Sequence, residues 1–153
     1  MLVSVQIEAV GVTNSPEEAA NAKSKQDASN NVKIIESDYR DLSGKFDRVV
    51  CVQMMEHLGG PRHYPQFFRK MDSLLAPDGL LVIQTTVITV QSPIRCDPFS
   101  RKYCFPNSVA PHPLEILKVA EGSGFIAEDV HNIGASLERT VLAYEANMER
   151  GWK

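Results

Sequence analysis

One pattern constrains this chain more than any other: short runs rich in Val and Ile alternate with stretches of helical character. The order reads strand, helix, strand, strand, helix, strand, helix, strand, helix. Strands separated by helices lie parallel in one sheet, with helices over its faces, so the expected class is α/β with a mostly parallel sheet. Val3, Val5 and Ile7 alternate with polar residues and open a strand that should end at Thr13. Ser15, Pro16 and Glu18 form a capping-box pattern for a helix reaching about Gln26. A polar turn over 27–31 leads to a strand over 32–37, a loop over 38–45 and a buried-type strand over 46–52. Gly59-Gly60-Pro61 breaks the chain before a helix over 63–75, whose Phe67, Phe68, Met71, Leu74 and Leu75 share a face. Pro77-Asp78-Gly79 marks a turn ahead of a strand over 80–86. Pro93, Pro98 and Pro106 make 89–108 a long loop. A helix over 113–123 should stop at Gly124, followed by a weak strand over 125–133 and a helix over 137–152.

In a sheet of this kind ligands bind beyond the carboxyl ends of the strands. Thr13–Ser15, Asp38–Asp41, Gln53–His57 and the residues from Thr85 onward are therefore the places to look. Glu56 follows a strand directly and can serve as a base or an electrostatic partner. Asp38, Tyr39 and Asp41 can hold an adenine or a ribose by hydrogen bonding and stacking. Taken singly, a solvated Glu and a polar turn are the plainer readings. Neither G-x-G-x-x-G nor G-x-x-x-x-G-K-[ST] occurs, so the usual phosphate-cradling loop is missing from the sequence. His57, His63, His112 and His131 show no H-E-x-x-H spacing, and no C-x-x-C occurs, so no metal site is expected. Gly122-Ser123-Gly124 lies between a helix and a strand and reads as a helix stop, not a nucleophile elbow.

Composition narrows the classes further. The 153 residues fit one domain on size, and 43% hydrophobic with 23% charged residues excludes a disordered or collagen-like chain. A net charge of −3 argues against a nucleic-acid partner. The longest apolar run, Gly79–Val90, is too short for a membrane span and carries Gln84, Thr85, Thr86 and Thr89. The first ten residues lack the basic start of a signal peptide. Cys51, Cys96 and Cys104 are odd in number and scattered, which favours a reducing, cytoplasmic setting.

Several stretches together carry a resemblance. They are Val10-Gly11-Val12-Thr13-Asn14-Ser15, Ser37-Asp38-Tyr39-Arg40-Asp41-Leu42, and Phe46-Asp47-Arg48-Val49-Val50 running into Met55-Glu56-His57-Leu58-Gly59. Leu75-Ala76-Pro77-Asp78-Gly79, Lys102-Tyr103-Cys104-Phe105-Pro106-Asn107, Asp129-Val130-His131-Asn132-Ile133-Gly134-Ala135 and Thr140-Val141-Leu142-Ala143-Tyr144-Glu145 continue it. In this order they resemble the cyclopropane-fatty-acyl-phospholipid synthase family of class I S-adenosylmethionine-dependent methyltransferases, which includes the mycolic acid cyclopropane synthases. The resemblance runs from about Glu8 to the end.

The resemblance implies S-adenosyl-L-methionine as cofactor, with Thr13, Asn14, Ser15 and Glu18 lining its ribose and methionine side. Asp38, Tyr39 and Arg40 would border the adenine. It implies that Glu56 helps hold a bicarbonate ion acting as base, with Tyr144 as a hydroxyl partner. Gln84 stands where bacterial members often have His; Gln donates a hydrogen bond but cannot carry the proton. The acceptor implied is an unsaturated phospholipid acyl chain, with 86–105 as one wall of its slot and peripheral contact with membranes. Arg62, Arg69, Lys70, Arg95, Arg101 and Lys102 are the basic residues for such contact, although solvated charge is their plainer reading.

The family's Gly-rich first strand and loop, and a cysteine of the bicarbonate site, have no counterpart before Val3, and the closing strand after Tyr144 is also missing. The expected fold is thus an incomplete Rossmann-like methyltransferase fold, a single partial domain over 1–153. Its sheet would lose two interior strands and leave unpaired edges. Such a chain is expected to fold weakly alone and to bind S-adenosylmethionine weakly; micromolar affinity by calorimetry would contradict this. Two other readings stay open: a small-molecule N-methyltransferase of the coclaurine type, and a non-catalytic remnant or interaction module.

Overall fold

The computed structural model describes residues 7–26, 31–89, 98–99, 102–103 and 105–152. Val3 and Val5, most of the 27–31 turn, and Pro93, Arg95, Cys96, Arg101 and Cys104 of the long loop lie outside the described residues. The elements are β1 (Ala9–Thr13), α1 (Pro16–Ser24), β2 (Val32–Glu36), β3 (Phe46–Val52), α2 (Tyr64–Leu74), β4 (Leu75–Gln84), α3 (Pro113–Gly122) and α4 (Gly134–Gly151). Single 3-10 turns occupy Tyr39–Asp41, Met55–His57 and Pro61–His63.

The strands pair in parallel, as an α/β chain requires, in two separate sheets. β1 lies beside β2 with Ala9 opposite Val32 and Thr13 opposite Glu36. β3 lies beside β4 with Arg48 opposite Leu80 and Val52 opposite Gln84. The sheets do not join, so β1 and β3 each keep an unpaired edge among the described residues.

Local chemistry explains most boundaries. Pro16 opens α1, and Ser15 Oγ accepts from the Glu18 amide at 3.2 Å. The reciprocal half of the capping box is rerouted through Thr13. Thr13 Oγ1 donates to Glu18 Oε2 at 2.7 Å and accepts from the Ser15 amide at 3.2 Å. α2 ends at Leu74 rather than Leu75, because Leu75 turns extended and pairs with Phe46. β4 therefore starts earlier than the Pro77-Asp78-Gly79 turn suggested. That turn survives as a bulge, with the register jumping from Phe46–Leu75 to Arg48–Leu80. Asp78 sits at φ 61°, and a Cβ on Gly79 would fall 2.9 Å from the Ala76 carbonyl oxygen, so the bulge needs glycine there. α3 ends as expected, with Gly124 at φ 89°.

The core is built around α2. Tyr64, Phe67, Phe68, Met71 and Leu74 are buried and pack with Cys51 and Met55 from the β3 side. Phe67 and Phe68 meet edge-on at 5.3 Å between ring centres, Tyr39 leans on Phe67 at 6.0 Å and Phe125 on Phe68 at 5.5 Å. Ile116, Val119 and Ala120 of α3 close the cluster.

Residues 125–133 form no strand, contrary to expectation. A strand needs a neighbour for its backbone groups, and none lies beside this segment among the described residues. α4 begins at Gly134, slightly ahead of its expected start, and all of its residues are exposed. None of the described helices is long and apolar enough to cross a membrane.

Candidate functional site

The carboxyl ends of β1, β2 and β3 open into one cavity of about 690 Å³. It lies against the unpaired edges of both sheets, with Val10 and Val12 of β1 and Arg48, Val50 and Val52 of β3 among its lining residues. Of the seven residues expected at the cofactor, Thr13, Asn14, Glu18, Asp38, Tyr39 and Arg40 line this space. Ser15 instead caps α1 and donates its hydroxyl to Glu17 at 3.1 Å.

Thr13, Glu18, Asp38, Tyr39 and Arg40 are held locally. The Glu18 carboxylate is aimed back at the end of β1 by its bond from the Thr13 hydroxyl. Asp38 caps the 3-10 turn after β2, accepting from the Arg40 amide at 2.8 Å, from Arg40 Nε at 2.9 Å and from Arg40 Nη2 at 2.6 Å. That bidentate fork holds the Asp38 carboxyl down at about 2, against an ordinary 3.8. The cavity thus has a fixed negative charge paired with a guanidinium. Tyr39 is half-buried, with its ring against Phe67, and burial pushes its hydroxyl pKa up.

Gln53, Met54 and His57 bring the end of β3 to the same cavity. Gln53 has φ 49°, an uncommon conformation for a residue with a side chain, and its amide donates to the Gln84 carbonyl at 2.8 Å. This bond ties the ends of β3 and β4 together. It also places Gln84, the last residue of β4, beside the turn that carries Glu56.

Glu56 is 6% exposed. Its Oε1 accepts from the Thr86 amide at 2.6 Å, and its carbonyl accepts from the Val109 amide at 2.8 Å. The residue therefore fastens three segments: the turn after β3, the exit of β4 and the approach to α3. Among the described residues its Oε2 is buried without a partner. Cys51 lies close by, and burial followed by the Glu56 charge pushes its thiol to about 11. Tyr144 is not brought to this group; it stands 64% exposed on α4. In the segment expected to form one wall of the acceptor slot, Phe99, Tyr103 and Phe105 are exposed. Phe99 and Tyr103 lie 5.2 Å apart, and Lys102 Nζ sits 4.9 Å over the Tyr103 ring.

The sequence reading passed over Tyr64. It lies three residues before Phe67 and four before Phe68, on the same helical face, and that spacing could have placed it in the core.

Comparisons with known proteins bear on the family and the fold. A family model described as mycolic acid cyclopropane synthetase matches residues 2–153. The chain is 34% identical over 152 residues to the cyclopropane-fatty-acyl-phospholipid synthase of Escherichia coli (strain K12), covering 99% of this chain and 39% of that protein. It is 27% identical over 128 residues to the sphingolipid C9-methyltransferase of Komagataella phaffii, covering 75% of this chain and 26% of that one. The mycolic acid cyclopropane synthase CmaA1, solved with SAH and CTAB, superposes with a TM-score of 0.80 at 20% identity, over 93% of this chain and 55% of its own. The Mycobacterium tuberculosis cyclopropane synthase MmaA2 superposes with a TM-score of 0.65 at 23% identity, over 76% and 46%. These superpositions establish a shared fold. The chain spans about two-fifths of the length of the E. coli relative.

Proposed function

The chain belongs to the mycolic acid cyclopropane synthetase family, and from that premise we propose that it is the part of an S-adenosylmethionine-dependent lipid methyltransferase that holds the cofactor's adenosyl side and the catalytic Glu56. The observation that carries the reading is the single cavity shared by Thr13, Asn14, Glu18, Asp38, Tyr39 and Arg40.

These residues fit the cofactor's chemistry. Thr13 and Glu18 offer a hydroxyl and a carboxylate, the groups that bind ribose hydroxyls and an ammonium. Tyr39 offers a ring edge, and the Asp38–Arg40 pair a rigid polar rim for the adenine. The cofactor supplies a methyl group on a sulfonium. What the chain itself contributes is electrostatic. Glu56 presents an unpaired carboxylate oxygen, buried and fixed from its other side by the Thr86 amide. A negative charge in a water-poor place stabilises a developing cation, and an oxygen so placed can hold a bicarbonate ion that accepts the leaving proton. Gln84 would orient that ion by donation, and Tyr144 would join it only after α4 closes over the site.

The acceptor we propose is an unsaturated acyl chain of a phospholipid, methylated or closed to a cyclopropane at its double bond. The exposed aromatics Phe99, Tyr103 and Phe105 support an apolar slot, and Lys102 beside them a headgroup contact at a membrane surface. The test is a graft of residues 2–153 into the E. coli relative, which supplies the remaining length. Mass spectrometry of lipids from cells expressing the graft should show a gain of one CH₂ in unsaturated chains, lost in the Glu56→Gln form. No gain from a folded graft would contradict the reading. The edges of β1 and β3 that stay unpaired among the described residues favour a second reading, a non-catalytic module; a graft that folds and binds S-adenosylmethionine but transfers nothing would support it.

A further inference from the structure

Lys70 is one of the basic residues available for contact with a membrane, yet its ammonium group is used elsewhere. The residue is half-buried on α2, and its Nζ donates to the Leu42 carbonyl at 2.6 Å, across 28 positions of sequence. A half-buried ammonium gives up water, and a short charge-assisted bond replaces it. Leu42 ends the 3-10 turn Tyr39–Asp41. Asp38, Tyr39 and Arg40 line the cavity, and Lys70 does not. Its influence on the cavity therefore runs through the backbone of that turn.

The turn is closed on itself, so a tie at its end is felt at its start. The Leu42 amide donates to the Tyr39 carbonyl at 3.3 Å, and the Asp41 amide to the Asp38 carbonyl at 3.0 Å. The Arg40 amide donates to Asp38 Oδ1 at 2.8 Å. Fixing Leu42 thus constrains the whole segment from Asp38 onward. A second contact comes from the same stretch of α2. Phe67, three residues before Lys70, meets the Tyr39 ring at 6.0 Å, and Leu42 packs on the same cluster. Residues three apart on a helix share a face, so Phe67 and Lys70 offer one apolar and one cationic anchor to a single turn. Other support for the turn is slight. β2, which leads into it, belongs to a sheet that does not join β3 and β4 among the described residues. α1, the helix of that sheet, buries Ala19 alone.

We propose that Lys70 is a positioning residue for the adenosyl group: through the Leu42 carbonyl it holds the Tyr39–Asp41 turn on α2 and so keeps Tyr39 and the Asp38–Arg40 pair in place at the cavity. The proposal rests on the adenosyl reading of that cavity. Losing the bond should raise the Kd by about three- to tenfold, the factor that the net worth of one such hydrogen bond corresponds to.

The test is NMR titration of the full chain with S-adenosylmethionine, unaltered and as Lys70→Met, Lys70→Arg and Lys45→Met, with a thermal melt of each. Met keeps much of the apolar stem without the donor, and Arg keeps a cationic donor. Lys45 makes a bond of the same kind, to the Leu75 carbonyl at 2.9 Å, and neither of those residues lines the cavity. Lys70→Met should weaken binding by the stated factor. In the free chain it should shift the amides of Tyr39–Leu42 and leave those of Thr13 and Glu18 in place. Lys70→Arg should recover most of the affinity. Lys45→Met should lower Tm and leave the affinity unchanged. An unchanged Kd in Lys70→Met, or an equal loss in Lys45→Met, would overturn the proposal. A loss as large in Lys70→Arg as in Lys70→Met would trace the effect to packing of the stem and overturn it too. All three outcomes leave the adenosyl reading standing. An unaltered chain that does not bind S-adenosylmethionine would overturn that reading and this proposal together, so the unaltered titration tells the two failures apart. If Lys70→Met does not fold, Lys70→Gln, shorter and neutral, takes its place. Absence of an NOE between the Lys70 ε-methylene and Leu42 in the unaltered chain would overturn the proposal whatever the variants do.

Discussion

The chain contains two βαβ units of the same parallel design, and they are held together differently. In β3–α2–β4 the helix carries five buried side chains, three of them aromatic, and packs against β3, β4 and α3. In β1–α1–β2 the helix is PEEAANAKS, and Ala19 is its one buried residue. The first unit is stabilised by apolar burial, the second by capping, a Thr13–Glu18 bond and the strand ladder. Hydrogen bonds of that exposed kind contribute little net free energy, whereas a buried aromatic contributes several kcal/mol. The difference has a functional side. The residues proposed for the adenosyl group sit on the weakly packed unit, and Glu56 sits on the strongly packed one. The weak unit can be ordered by a ligand, and the strong one keeps the carboxylate in place beforehand.

This contrast can be broken by substitution. Phe67→Ala should destabilise β3–α2–β4 by about 3–5 kcal/mol, the usual cost of emptying an aromatic site in a packed core. Urea unfolding followed by NMR of the α2 amides checks this; a loss under 1 kcal/mol would show that the cluster does not hold the unit together. Ser15→Ala should cost ~1 kcal/mol, confined to α1, through loss of the bond to the Glu18 amide. Amide exchange in Pro16–Ser24 should quicken while that in Tyr64–Leu74 stays unchanged. The smallest effect is electrostatic. Asp38 has a depressed folded pKa, so its contribution is complete above the ordinary 3.8 and is lost as pH falls toward about 2. The Arg40 amide resonance should titrate near the lower value, and Asp38→Asn should abolish that titration.

The two units also differ in how legible they were. Phe46–Val52 announced itself through the apolar run Val49–Val52, and Ser15-Pro16 as a helix start, because strand patterning and capping are local properties. The failures are non-local. Residues 125–133 carry a strand-like pattern, but a strand exists only with a partner, and composition does not say whether one is present. β4 begins at Leu75 because Phe46, about thirty positions earlier in the chain, takes it up in register, and the bulge at Asp78-Gly79 absorbs the mismatch. For the site, the strand-end rule picked out Thr13, Asn14, Asp38, Tyr39, Arg40, Gln53, Met54 and His57, eight of the residues that line the cavity. It also picked out Glu56, but not that this carboxylate is buried against the Thr86 amide. Tyr64 was not among the residues expected on the buried face of α2, although its spacing to Phe67 and Phe68 puts it there. Tyr144 was placed at the site through the resemblance alone, and in this structure α4 holds it away, with its apolar residues Leu137, Val141, Tyr144 and Met148 exposed.

The central claim is that the cofactor cavity is walled on one side by a unit too weakly packed to be rigid alone and on the other by one that is. Residue-resolved amide exchange with and without saturating S-adenosylmethionine tests it most directly. Without the compound, β3 and α2 should exchange slowest and β1 and β2 should exchange markedly faster. With it, protection should rise across Ala9–Thr13 and Tyr39–Asp41 and stay unchanged in α4. Equal protection of both units in the free chain, or ligand-induced protection confined to residues away from the cavity, would contradict the account.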